Sequence, residues 1–446
     1  MKARELVLLG VLGLCAGCVT VSGGAASAKL TPREQAQVYL SRGDGKNALP
    51  ILTGLFAAQP QDLALARMLA EAHVKAGSAD AFLATLAGKD TAIAHYQQGL
   101  VRFTRSADTA PALTEFKRAA ELSPGEPEFA YRLGVAQLES EQYPEARQTL
   151  EGAVAAAKER TAWSLPLAKA RHRTGEVKGA VEAVRVAVVG GVTPAEAKTA
   201  RALMDQIADP FAGFPRSARP QLEQAIQWLE INDVPQQAIV QLEELLRDLP
   251  DEAVLHSLLG LAYARLDDAG RAVDELKRAI ELQPEDGKNY LYLAQIYEGR
   301  QRQKNAEEQY LKALERNPVL DEAWFKLGDL ALERQDFVTA RKNFEIASRL
   351  VPENVPAHGK LALVHQLEGN WPAAERELQA VLDRDPENVE FMLRLGILHT
   401  EHFTKARTDA ERTTAANEAT RWLNRVLEAQ PENAIASRAL ERLKVR

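Results

Sequence analysis

The sequence predicts an all-α protein, a stack of repeated helical hairpins, and three observations carry that expectation. Pro250, Pro284, Pro318, Pro352 and Pro386 fall 34 residues apart at every step. Ala238, Ala272, Ala306, Ala340 and Ala374 each precede one of those prolines by 12 residues. Hydrophobic residues make up 46% of the 446-residue chain but aromatics only 6%, a balance suited to closely packed helices rich in alanine and leucine. A fixed period of this length marks a repeat architecture, in which each unit buries its apolar face on its neighbours. The length alone, enough for about three globular domains, is then no guide.

The first residues are read as an address. Lys2 and Arg4 precede the apolar run Leu6 to Leu14, too short for the ~20 residues that span a bilayer as a helix but suited to the core of a secretory signal. Cys15-Ala16-Gly17-Cys18 follows, and this stretch resembles a bacterial lipobox, with two small residues before Cys18. Cys15 stands where that family usually has leucine, and Leu14 lies one place earlier. The resemblance implies a lipoprotein signal peptide over 1–17 and lipidation, including palmitate, at Cys18. Val19, where an aspartate would favour the inner membrane, implies an outer-membrane lipoprotein facing the periplasm. The alternative is an ordinary signal peptide cut near Ala25-Ala26. Residues 18–28 read as a flexible tether. Cys15 and Cys18 are the only cysteines, so no disulfide staples the body.

The repeats themselves follow a physical pattern once each proline is set at position 32 of its unit. Leu259-Gly260 with Tyr263, Leu293-Ala294 with Tyr297, and Leu327-Gly328 after Trp324 occupy the first helix. Ala272, Leu276 and Ala279 in the second helix recur as Ala306, Tyr310 and Ala313, then as Ala340, Phe344 and Ala347. Small residues at positions 8, 20 and 27 let two helix backbones approach, and large ones at 4, 7, 11 and 24 fill the space between. Proline at 32 stops the second helix, and Asp286, Asn354, Asn388 and Asn433 stand where the next helix needs an N-cap. This pattern resembles the tetratricopeptide repeat family. The resemblance implies a right-handed α-solenoid of helix-turn-helix hairpins, a fold that binds proteins.

The register predicts about eleven hairpins in two arrays. Units starting near 29, 63, 93, 127 and 161 form the first, over 29–208, with the unit at 63 about four residues short. Units starting at 219, 253, 287, 321, 355 and 389 form the second, over 219–446. A single helix at about 195–208 lacks a partner. The segment 209–218 follows, where Pro210, Gly213 and Pro215 predict a joint. In the last hairpin Pro431 comes 45 residues after Pro386. The excess falls near 401–418 and predicts extended helices, followed by a solvating cap helix at 433–444.

The chain carries no sequence signal for catalysis. Its net charge is −7 with no block of Lys and Arg, which argues against nucleic acid as a partner. Neither a glycine-rich phosphate loop nor a nucleophile elbow appears, and the carboxylates are scattered over every helix face. In His399-Thr400-Glu401-His402 two histidines three apart can share a ligand sphere, but His399 falls at packing position 11, so no metal and no cofactor are expected. An enzyme would require an unrecognised site in the joint or in 401–418.

Positions 2, 5, 9 and 12 of the first helix line the inner surface in the resembled family. Position 5 carries Ser257, Leu291, Phe325, Gly359 and Leu393, and position 9 carries Leu261, Gln295, Asp329, Leu363 and Ile397. Apolar residues recurring there predict a groove for a helix or an extended peptide, unless neighbouring units cover them. Lys326, Lys360 and Arg394 form a basic column, which we read as helix-stabilising i,i+4 pairing of Glu322 with Lys326 and of Glu390 with Arg394. The expected function is a lipid-anchored scaffold or adaptor that binds a protein or peptide segment and helps assemble a cell-envelope complex. The alternative is a chaperone-like periplasmic receptor holding unfolded or outer-membrane-bound clients.

Overall fold

The computed structural model describes residues 30–444 except 106–108, 210 and 212. Cys18, the signal segment and the tether up to residue 28 therefore lie outside the described residues. Those described form 24 α-helices and no strand. The chain divides into two compact units, one ending at Leu203 and the other starting at Met204.

Five hairpins make up most of the first unit. They are α1 (Pro32–Ser41) with α2 (Gly45–Ala58), α3 (Leu63–Lys75) with α4 (Ala79–Leu86), and α5 (Ala92–Arg105) with α6 (Ala110–Leu122). Then come α7 (Pro127–Glu139) with α8 (Tyr143–Ala156), and α9 (Ser164–Arg173) with α10 (Val177–Gly190). The unpaired α11 (Pro194–Ile207) follows. The second unit begins its hairpins with α12 (Arg219–Glu230) and α13 (Pro235–Asp248), then α14 (Ala253–Arg265) and α15 (Ala269–Leu282). Next are α16 (Gly287–Gly299) with α17 (Gln303–Arg316), and α18 (Asp321–Glu333) with α19 (Phe337–Leu350). The last are α20 (Val355–Leu367) with α21 (Trp371–Leu382), α22 (Val389–Lys405) with α23 (Asp409–Ala429), and the final helix α24 (Ala434–Lys444).

The small positions are where backbones meet. A Cβ on Gly260 would come within 2.6 Å of the Leu276 side chain, one on Gly328 within 2.7 Å of Phe344, and one on Gly396 within 2.5 Å of Leu423. Position 8 is thus the socket for the large residue at position 24 of the same hairpin. Ala272, Ala306, Ala340 and Ala374 at position 20 are fully buried. The expected caps form: Asp286 accepts from the Lys288 N–H at 2.9 Å, Asn354 from Ala357 at 3.0 Å, Asn388 from Phe391 at 3.2 Å and Asn433 from Ala436 at 3.0 Å. Each satisfies a donor that the first helical turn would leave unpaired.

Position 4 has a polar duty that the sequence pattern hides. The carbonyl of each repeat proline lies beyond the end of a helix, and for Pro250, Pro284, Pro318 and Pro352 the position-4 side chain six residues later donates to it. Trp324 Nε1 donates to the Pro318 oxygen at 2.9 Å and the Tyr290 hydroxyl to Pro284 at 3.3 Å. His256 and His358 place Nε2 at 3.1 Å from the Pro250 and Pro352 oxygens. Met392 has no donor at this position, and Arg425 reaches the Pro386 carbonyl instead, at 3.3 Å.

Two irregular segments are resolved by packing. Phe214 is buried in the second unit's core with Leu222, Ala225 and Leu229, and Phe211 packs against the same cluster. Part of the segment read only as a joint is therefore core. The excess residues of the last hairpin lengthen both helices, to 17 residues in α22 and 21 in α23. A capping box between Thr408 and Glu411 starts α23.

Candidate protein-binding surface

The six apolar residues of the expected groove are not equivalent. Leu291 is buried, 5% exposed, in a cluster that includes Ala323 and Leu327 of the following hairpin. It belongs to the core, because the next hairpin closes over it. Phe325 is half-buried, its ring 5.5 Å from that of Phe344. Leu393 is half-buried against the cluster of Phe391, Leu395 and Leu423. Position 5 thus joins successive repeats at Leu291 and packs within its own hairpin at Phe325 and Leu393. Position 9 is the more open column: Leu261 and Ile397 are half-buried and Leu363 is 39% exposed.

Beside Leu261 the surface is recessed. A cleft of about 220 Å³ lies between α14 and α16, lined by Leu261, Ala264, Tyr292, Gln295, Ile296 and Gly299, with Asp267, Ala269 and Arg300 completing it. A cavity of about 150 Å³ holds a benzene ring, so this volume admits one long side chain. Burial pushes the Tyr292 phenol up to about 12, helped by the carboxylates of Asp286, Glu230 and Glu322.

Charged residues on this face pair largely between repeats. Lys326 reaches Glu298 of the preceding hairpin at 2.9 Å, while Glu322 accepts from the Gln295 amide at 2.6 Å. The expected Glu322–Lys326 pairing is therefore replaced by a longer-range one, because Glu298 and Lys326 face each other across the groove between hairpins. Glu390–Arg394 forms within its helix as expected, at 2.6 Å, and Lys360 pairs with Asp329 at 2.7 Å. The basic column is thus tied to carboxylates.

The histidine motif behaves as packing. His399 is buried, and burial lowers its pKa to about 4, opposed by the Glu418 charge. Its Nε2 lies 3.7 Å from Glu375. His402 stacks on Trp371 with ring centroids 5.2 Å apart. Among the described residues no group of three or more His, Cys, Asp or Glu is placed to hold a metal ion. None of the described helices is long and apolar enough to cross a membrane.

In the first unit the corresponding face carries a buried network that the sequence reading missed. Glu128 accepts from the Tyr96 hydroxyl and from Arg132 Nε, both at 2.9 Å. Burial opposes the Glu128 charge, yet Arg132 and Arg67 together with the hydrogen bonds hold its pKa below the usual carboxylate value. Tyr131 stacks on Trp163 at 4.2 Å. Tyr131 and Arg132, at positions 5 and 6, are buried, so this stretch offers no open apolar column. The available signal was the Glu128–Arg132 spacing on an inner helix face.

Family models described as tetratricopeptide repeat match residues 104–171 and, in the second unit, 230–287, 258–321, 291–355 and 360–419, together more than half the chain. The human protein O-mannosyl-transferase TMTC1 is 28% identical over 134 residues, which is 29% of this chain and 14% of that protein. Tetratricopeptide repeat protein 37 of Xenopus laevis is 29% identical over 123 residues, 27% of this chain and 8% of that protein. The chain therefore spans under a fifth of these relatives' lengths. Among solved structures, YrrB, a TPR protein with an unusual peptide-binding site, aligns at 17% identity over 45% of this chain and 97% of its own, with a TM-score of 0.38. PilW, a widely conserved type IV pilus biogenesis factor, aligns at 16% identity over 51% and 99%, with a TM-score of 0.40.

Proposed function

Because the chain belongs to the tetratricopeptide repeat family, we propose that it is a non-catalytic scaffold, held to a bacterial outer membrane by a lipid on Cys18, that binds a protein segment and helps assemble a complex of the cell envelope. One observation carries the binding half. Leu261, Leu363 and Ile397 stand at position 9 in three hairpins of the second unit, and all three side chains stay partly exposed. Gln295 and Asp329 hold that position in the two hairpins between Leu261 and Leu363. Leu363 and Ile397, at equivalent positions of consecutive hairpins, offer an apolar patch to a helix or extended peptide, and Leu261 offers a second one, separated from Leu363 by those two hairpins. The anchoring half is supported by the sequence of the first 18 residues, an apolar run followed by Ala16-Gly17-Cys18.

Two measurements test the reading. Cys18→Ala is expected to move the protein from the membrane to the soluble fraction, since a lipid anchor draws its strength from about 0.8 kcal/mol per buried methylene. Retention on membranes through high salt overturns the anchor. A photo-crosslinking residue at Leu363 in intact cells is expected to give a discrete adduct. The same residue at Val240, on α13 and 67% exposed, is the control. Equal capture at the two positions overturns the surface, and a broad smear of clients at Leu363 favours the chaperone-like reading.

A further inference from the structure

The cleft between α14 and α16 has a composition that selects its occupant. Apolar Leu261, Ala264 and Ile296 line it together with Tyr292. Gly299, also in the lining, leaves open space, since a Cβ there would meet nothing within 4 Å. The cations around it are already engaged. Arg300 donates to the Asp267 carbonyl at 2.8 Å and to its carboxylate at 3.1 Å. Arg265 is held by Asp233 at 2.9 Å and Lys326 by Glu298 at 2.9 Å. Lys288 stands beside the Asp286 carboxylate that caps its helix.

The anions are less compensated. Glu230 is exposed and makes no ion pair with another described residue, and Glu322 accepts only the neutral Gln295 amide. The bond to Gln295, a lining residue, brings Glu322 to the rim of the cleft, and the carboxylates of Asp286, Glu230 and Glu322 all help to push the Tyr292 phenol up. An apolar slot with an aromatic ring in its lining and a negative field suits a side chain with a long aliphatic stem and a flat, weakly hydrated cation. That description fits arginine better than lysine, whose compact ammonium is strongly hydrated.

We propose that this cleft receives an arginine from a basic segment of the partner protein, its stem on Leu261 and Ile296 and its guanidinium against the Tyr292 ring, facing Glu230 and Glu322. The assignment rests on the scaffold reading above and names the chemistry of the partner. It makes the partner segment basic, complementary to the chain's net charge of −7.

The test uses the full chain and three fluorescent peptides that alternate alanine with arginine, lysine or glutamine, read by anisotropy at low salt. The arginine peptide is expected to bind at least about tenfold tighter than the glutamine peptide, an advantage that shrinks as salt screens the charges. Gly299→Phe fills the cleft from a position with open space and is expected to remove that advantage. Glu230→Lys, on an exposed site, is expected to weaken arginine binding several-fold, and both variants should melt like the parent. Unchanged arginine binding in Gly299→Phe, or a lysine peptide as tight as the arginine one, overturns the proposal. So does the absence of any arginine preference. A crosslinked partner at Leu363 whose capture ignores Gly299→Phe and Glu230→Lys would leave the scaffold standing and remove the cleft alone.

Discussion

Single residues here do two kinds of work, and His399 shows how the two separate. Its ring fills position 11 of α22, and burial holds it neutral down to a pKa of about 4. An unfolded histidine takes up its proton near 6.5. Between those values the unfolded chain binds a proton that the folded chain refuses, so His399 supports the fold fully above pH ~6.5 and progressively less as pH falls toward 4. His256 acts in the opposite sense. Its hydrogen bond to Glu275 raises its pKa, so its contribution is present at low pH and fades as pH rises through the raised value. We expect the parent to lose about 2 kcal/mol more than His399→Leu between pH 7 and 5, read from urea midpoints. Equal losses would mean that the imidazole is solvated in the folded state.

At the scale of the element, the hairpin turn is the most regular feature of the chain. Gly43, Gly77, Gly175 and Gly369 have positive φ, and so do Glu141, Asp233, Asp267, Gln301 and Gln335. From Asp233 to Gly369 these positions advance by 34 residues, in step with the prolines. Each marks the left-handed residue that reverses the chain between the two helices of a hairpin. A side chain there costs about 1–2 kcal/mol, partly offset because glycine has more freedom to lose on folding. Gln335→Gly, with φ of 60° at the native residue, should therefore stabilise the protein by up to about 1 kcal/mol. Gly369→Ala should destabilise it by a similar amount. Denaturant midpoints moving in the reverse directions would show that the turn relaxes to another geometry.

At the scale of the whole molecule, stability in a repeat array is a sum over units and the interfaces with their neighbours. Ala340 is fully buried at position 20, whereas Ala410 is exposed at the start of α23. Ala340→Glu places a charge where two backbones meet and should cost several kcal/mol, on the order of 4 or more. Hydrogen exchange should quicken from α16 to α22 and stay unchanged in α1 to α9, which lie in the other compact unit. Ala410→Glu should change neither the melt nor the exchange. Loss of protection in α1 to α9 on Ala340→Glu would mean that the two units unfold as one.

The sequence by itself determined the repeat, its length and its helical hairpins, because a period of prolines and small residues is a local code. Proline ends a helix and alanine admits a neighbour wherever they stand. It also placed the caps, which depend on residues three apart or fewer. What surrounds a side chain is decided by units that follow later in the chain, and only the tertiary structure supplied that. Leu291 and Leu363 are both leucines on the same inner face, yet the next hairpin buries the first and leaves the second open. Lys326 chose Glu298 across a groove over Glu322 one turn away, and Phe214 left the expected joint for the core. The hydrogen bonds from position 4 to the proline carbonyls were hidden for a related reason. Histidine, tyrosine and tryptophan share no periodic hydrophobic signature, only a donor within reach of the same orphaned oxygen.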